Sequence, residues 1–199
     1  MRYAVLAMAI CLIAVGAANA TIPERTNCSV TPCDTYGGLI LSPDYNIQLG
    51  MVMPRPAAEF VVNVRNANND PIPSAFVEVV LGTPGNHCLC IDAVLTGTTD
   101  VNGDATFNIS GGGCTIGTNA ARIIANSVEI RAYDAVRSPD YENGTSDCLV
   151  GLPDFGFFAT NFGGFSEPCT DYNGSGQTEL FDFSVFAQSF GYTCEELAK

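Results

Sequence analysis

Between residues 59 and 137 the chain alternates short β-branched runs with clusters of Gly, Asn, Asp and Pro. Phe60, Val62 and Val64 fall on one side of a two-residue alternation and Val61, Asn63 and Arg65 on the other, which is the period of a half-buried strand. A second run, Ala75-Phe-Val-Glu-Val-Val-Leu81, follows the turn-rich segment 66–73, so the pair forms either a hairpin or a corner between two sheets. Further strands are predicted at 94–99, 105–109, 121–125 and 128–133. No helical period interrupts them. The fold class that follows is mainly β, a sandwich.

Past residue 150 the period changes. Residues 152–163 match residues 180–191 at an offset of 28, with seven of the twelve positions identical. Leu152, Phe155, Phe158, Ala159 and Phe162 recur as Leu180, Phe183, Phe186, Ala187 and Phe190, and spacings of three and four place each set on one helical face. Gly163 and Gly191 stand where helices commonly stop. Two short helices packed face to face are therefore expected.

Composition adds a compartment. Residues 1–20 run from the basic Arg2 through an apolar stretch to Ala18-Asn19-Ala20, the pattern of a removable signal peptide. The apolar stretch falls short of the ~20 residues of a spanning helix. The product is thus expected to be secreted, extracellular or at the cell surface, with the periplasm also open, and without a membrane span after signal removal. Eight cysteines remain beyond Cys11: Cys28, Cys33, Cys88, Cys90, Cys114, Cys148, Cys169 and Cys194. An even number in an exported chain reads as disulfides, and spacing does not choose their pairing. A zinc site would want two residues, not one, between Cys88 and Cys90.

Charge narrows the partners. Lys+Arg 8 against Asp+Glu 21 leave −13, too few cations for a nucleic-acid footprint. Ten acids and no Lys or Arg fall between 138 and 198.

Several of those acids have metal-loop spacing. From Asp171 to Asp182, oxygen donors stand at loop positions 1 (Asp171), 3 (Asn173), 5 (Ser175), 7 (the Gln177 carbonyl), 9 (Glu179) and 12 (Asp182), with Gly176 at the sharp turn. All are hard oxygens, which suits Ca²⁺. The first copy is poorer: Asn143, Thr145, Asp147, Leu149 and Asp154 align with the ligand steps, and Cys148 takes the glycine step. Asp140 replaces Asn143 if the first loop carries a three-residue insertion. By contrast, Asp100-Val-Asn102-Gly-Asp104 lacks the later ligand steps and reads as a turn.

Two resemblances follow from these residues. The stretch from Phe60 through Pro73, with Gly97 through Phe107, resembles bacterial immunoglobulin-like and carboxypeptidase-regulatory-like modules. The duplicated loop-helix unit at 140–191 resembles a type I dockerin, which implies two calcium-loop helices packed antiparallel. It also implies Asp171, Asn173, Ser175, Gln177 and Asp182 as ligands, Asp147 and Asp154 as a second set, and a cohesin as partner. The implied organisation is a signal peptide at 1–20, a disulfide-containing segment with the first strand or strands at 21–58, an immunoglobulin-like sandwich at 59–137, a dockerin-like repeat at 138–194 and a tail at 195–199.

Catalytic patterns are scarce. The single histidine, His87, reads as an exposed loop residue beside Cys88, and no nucleophile elbow, phosphate loop or zinc helix occurs. Gly111-Gly-Gly113 reads as a loop. The leading expectation is a non-enzymatic exported protein whose calcium-stabilised repeat serves attachment; the alternatives are a glycan- or surface-polymer-binding sandwich braced by that repeat, and a small hydrolase.

Overall fold

The computed structural model describes residues 21–31, 39–40, 59–81, 87–89, 95–108, 111–164 and 167–193. The expected signal peptide at 1–20, Cys33, Cys90, Cys194 and the 195–199 tail lie outside the described residues.

The body is mainly β. Ten strands follow in order: β1 (Ser29–Thr31), β2 (Leu39–Ile40), β3 (Glu59–Asn63), β4 (Phe76–Leu81), β5 (His87–Leu89), β6 (Thr96–Thr98), β7 (Asp104–Asn108), β8 (Gly111–Gly113), β9 (Thr115–Ala125) and β10 (Val128–Arg137). They form a three-stranded sheet β1-β3-β7, a five-stranded sheet β2-β10-β9-β4-β6 and a small β5-β8 pair. All pairings are antiparallel except β2 with β10.

The alternation in the sequence explains which side chains meet. Val62 and Val64, with Val30, Ala105 and Phe107, join Val77, Val79, Ala121, Ile123, Ala125, Ile130 and Tyr133 of the larger sheet in one buried cluster. Fully burying an aliphatic side chain of this size stabilises by about 1.5–3 kcal/mol. Because β3 and β4 sit in different sheets, the segment between them is a corner, not a hairpin. Buried Asn66 organises it by accepting from the Asn68 and Asp70 amides, both at 2.9 Å. The Thr99 hydroxyl clamps its far side, donating to the Ile72 carbonyl at 2.6 Å and accepting from the Ala75 amide at 2.8 Å.

Two expectations change. Gly111–Gly113 is a buried strand, and its partner β5 carries His87 and Cys88, so neither segment is the expected loop. Glycine has low strand propensity, but here a side chain is sterically excluded: a Cβ on Gly112 would collide with the Asp140 carboxylate. In addition, β9 and β10 are longer than expected, because register shifts at Glu129/Arg131 and Tyr133/Ala135 interrupt their alternation.

Helices α1 (Leu152–Asn161) and α2 (Leu180–Ser189) follow the β body, each ending just before a left-handed glycine, Gly163 at φ 77° and Gly191 at φ 87°. The two halves exchange equivalent backbone bonds. The Gly163 amide donates to the Thr178 carbonyl at 2.9 Å, and the Gly191 amide donates to the Val150 carbonyl at 2.8 Å. Each pair is the other shifted by the repeat offset, so the repeat folds with internal twofold pseudosymmetry. No helix among the described residues is long and apolar enough to cross a membrane.

The repeat is fastened to the body. Cys114, between β8 and β9, is bonded to Cys169, the Gly113 amide donates to the Asp140 carbonyl at 2.8 Å, and Arg137 Nε donates to the Pro168 carbonyl at 2.6 Å.

Candidate metal loops and an apolar helical face

In the second loop the proposed donors lie within one hydrogen-bonded turn. The Asp171 carboxylate accepts from the Ser175 amide at 3.0 Å and the Gly176 amide at 2.8 Å. Asn173 Oδ1 accepts from the Ser175 amide at 2.9 Å, and its Nδ2 donates to Glu179 at 3.3 Å. Ser175 Oγ accepts from the Gln177 amide at 3.4 Å and donates to the Gln177 carbonyl at 3.1 Å. Asp182, from the first turn of α2, reaches back to accept from the Tyr172, Asn173 and Glu179 amides at 2.7, 3.3 and 2.8 Å. Gly174 at φ 72° and Gly176 at φ 89° supply the left-handed steps.

The first loop repeats this pattern through a different residue. Asp140 accepts from the Asp147 amide at 3.2 Å and the Cys148 amide at 2.9 Å, which are the counterparts of the Ser175 and Gly176 amides. Asp147 Oδ1 accepts from the Leu149 amide at 3.1 Å, as Ser175 does from Gln177. Asp154 accepts from the Gly151 amide at 2.8 Å, as Asp182 does from Glu179. Cys148 adopts φ 65° at the step where the second loop has glycine. The residue that bonds as Asp171 does is therefore Asp140, not Asn143. Asn143 and Thr145 sit instead in a tight turn in which the Glu142 and Thr145 backbones bond each other at 3.0 and 3.1 Å. Three extra residues loop out there, and Asn143 at φ 46° and Gly144 at φ 99° close the turn.

The carboxylates are buried. Asp140 and Asp182 are 0% exposed, Asp154 3% and Asp171 4%. Burial, then the charges of Asp154 and Asp147, push the Asp140 carboxyl up to about 7. Burial, then Asp147 and Glu142, push Asp154 up to about 6. Asp182 is raised by burial and, more weakly, by Asp171. Among the described residues no basic side chain lies within ion-pair distance of these acids; Arg122 and Glu129 pair at 4.0 Å on the β body. Buried charge without a counter-ion is costly. Among the described residues no three His, Cys, Asp or Glu side chains cluster as a metal centre by themselves. Each loop carries at least three carboxylates along its length together with carbonyl oxygens and, in the second, amide and hydroxyl oxygens, all hard donors of the kind Ca²⁺ takes.

The other expected site residues are distributed as follows. Asp100 closes a reverse turn, accepting from the Asn102 and Asp104 amides at 2.8 and 3.0 Å. Cys114–Cys169 is a disulfide, and Cys148 is also disulfide-bonded. Cys28 is not: it is a buried free thiol that accepts from the Arg65 amide at 3.3 Å, and burial pushes its pKa up. An even cysteine count says nothing about a thiol enclosed by the core beside β1.

The helices pack face to face as expected, but only through part of the apolar stripe. Phe158 and Phe186 are 1% exposed and stack at 5.1 Å between the helices, with Val150, Tyr172 and Val185 around them. The rest of the apolar face points outward: Leu152, Phe155, Phe162, Leu180, Phe183 and Phe190 are between 39% and 74% exposed. These residues line two shallow grooves. One, of about 370 Å³, is formed by Phe155, Phe158, Ala159, Phe162, Leu180 and Phe183; the other, of about 340 Å³, by Phe183, Phe186, Ala187, Phe190, Leu152 and Phe155. Exchanging each residue for its repeat counterpart converts one groove into the other. The expected face-to-face packing is present through Phe158 and Phe186, while the outer residues of the same stripe stay open.

No protein-family model matches the chain, and no curated protein matches its sequence.

Proposed function

We propose that this is an exported, non-enzymatic protein in which an immunoglobulin-like β body carries a calcium-stabilised, dockerin-like repeat that attaches it to another protein at the cell surface. The observation that carries this reading is the exposed apolar face of α1 and α2, built twice by the repeat. Exposed contiguous apolar surface marks an interaction site. Its occupant is a folded protein with an apolar centre and a Lys/Arg rim, because the repeat supplies ten acids and no basic residue between 138 and 198. The same charge opposes a second copy of this chain as occupant. At the loop steps where cohesin-binding dockerins often carry Ser/Thr pairs, this chain has Leu152-Pro153 and Leu180-Phe181, so recognition rests on apolar packing more than on hydroxyl bonds.

Calcium fits the loops. Asp171, Asn173, Ser175, the Gln177 carbonyl, Glu179 and Asp182 would hold one ion; Asp140, Asp147, the Leu149 carbonyl and Asp154 would hold a second. Bound cation would supply the missing counter-charge to the buried carboxylates and fix both helix starts.

Binding of the full-length secreted protein to purified type I cohesins, including ones with basic docking faces, tests the reading by interferometry in Ca²⁺ and in chelator. Calcium-dependent binding that disappears in the Phe155→Ser/Phe183→Ser double variant is expected. Retained binding in that variant, or no binding to any cohesin together with a positive glycan array, overturns it in favour of a glycan-binding body.

A further inference from the structure

Arg137 is the last basic residue before the acidic repeat, and the β body sets it against Pro168, just ahead of the second loop. It ends β10, and its Nε donates to the Pro168 carbonyl at 2.6 Å. Pro168 precedes Cys169, which is bonded to Cys114 with the two Cα atoms 5.8 Å apart. A strand end, a hydrogen bond and a disulfide thus hold Arg137 against the backbone three residues ahead of Asp171. It makes no ion pair with Asp171 or Asp182, whose oxygens accept from loop amides. Its charge nevertheless reaches them: burial lowers the Arg137 pKa, while Asp171 and then Asp182 raise it. Arginine stays charged in such a setting and holds a fixed orientation through its planar fork.

We propose that Arg137 is a resident counter-charge for the second loop: it offsets Asp171 and Asp182 when the loop is empty and weakens calcium binding when the ion enters. The inference rests on the calcium reading of that loop. The β body, not the loop alone, then sets the affinity of the repeat's better site. A like-sign charge facing a divalent ion acts at twice the energy of a monovalent pair and is screened by salt within about 8 Å at physiological ionic strength.

Calcium titration calorimetry on full-length protein, wild type against Arg137→Gln and Arg137→Lys, tests this; the event abolished by Asp171→Asn identifies the second loop. At low salt Arg137→Gln is expected to tighten that event by about tenfold, with the gain shrinking as salt rises. Its melting temperature in chelator should fall. Arg137→Lys, which keeps the charge and loses the fork, should stay close to wild type. If Arg137→Gln binds calcium with equal or weaker affinity, or if both variants shift alike, Arg137 acts only through its bond to Pro168 and the proposal fails. Should Arg137→Gln unfold in chelator, rescue by calcium supports the proposal and failure of calcium to rescue it counts against it. Absence of any calcium event in the wild type overturns the loop reading itself, and this inference with it.

Discussion

The β body and the C-terminal repeat dispose of their side chains in opposite ways. In the body, Val62, Val77, Ile123 and Ile130 are enclosed and charge is left at the surface. In the repeat, four aspartates are enclosed while six large apolar side chains face outward. A domain selected for stability alone would do neither, since buried unpaired carboxylates and exposed Phe both cost free energy. The body is explained by its own contacts. On the proposed reading, the repeat is completed from outside its own chain, by a cation at the carboxylates and a partner over the phenylalanines.

The largest expected effect tests whether the repeat has any core of its own. Phe158→Ala removes the ring that stacks on both Phe186 and Tyr172 and should destabilise by about 3–5 kcal/mol. Phe155→Ala, on the outward face, should cost less than about 1 kcal/mol while abolishing partner binding. Denaturant melts of both variants decide this. Equal losses would mean that the face is core, and the contrast between body and repeat would collapse.

Metal removal comes next. If calcium fills the loops, saturation at a hundredfold over Kd stabilises by about 2.7 kcal/mol. Chelator should lower the melting temperature of the repeat and leave the transition of the body in place. Identical calorimetric traces with Ca²⁺ and with chelator would count against both the cation and the proposed division of stability.

Gly112→Ala probes the seam between the two regions. Its methyl group would meet the Asp140 carboxylate, and Ser146 Oγ at 2.6 Å, so the first loop must shift. A cost of about 1–3 kcal/mol is expected, as for other overpacked sites. Hydrogen exchange should show the loss at residues 140–148 as well as in β8; protection unchanged at 140–148 would mean that the loop does not lean on this strand.

Much of this arrangement was legible in the sequence, for physical reasons that also explain the gaps. Alternation at Val62 and Val64 and the offset identity of 152–163 with 180–191 report local periods, and local periods survive folding. The role of Asp140 is less visible, because a carboxylate can bind amides across an inserted turn that breaks the fixed offset. The one signal was its place three residues ahead of Asn143. Strand β8 was hidden because glycines carry little strand propensity; the Asp140 carboxylate closing over Gly112 and the φ of 104° at Gly113 give two of them a reason. Outward-facing Phe155 and Phe183 illustrate a different limit. Periodicity says which residues share a face and is silent on what covers it.

The last contrast separates the regions by pH. Asp140 and Asp154 have folded-state values of about 7 and about 6, above the ordinary 3.8 of an aspartate. In metal-free protein the folded state therefore keeps protons that the unfolded chain has already released between about pH 4 and pH 7. Stability depends on pH through that difference, so the stability of the metal-free repeat is greatest below about pH 4 and declines as pH rises through 7. Loaded with calcium, the trend reverses, since the ligands must be deprotonated and acid expels the ion. Melting temperatures measured from pH 5 to pH 8 should cross between chelator and Ca²⁺, while the transition of the β body moves little in either. Parallel profiles for the repeat would show that its buried carboxylates are not the groups that calcium relieves.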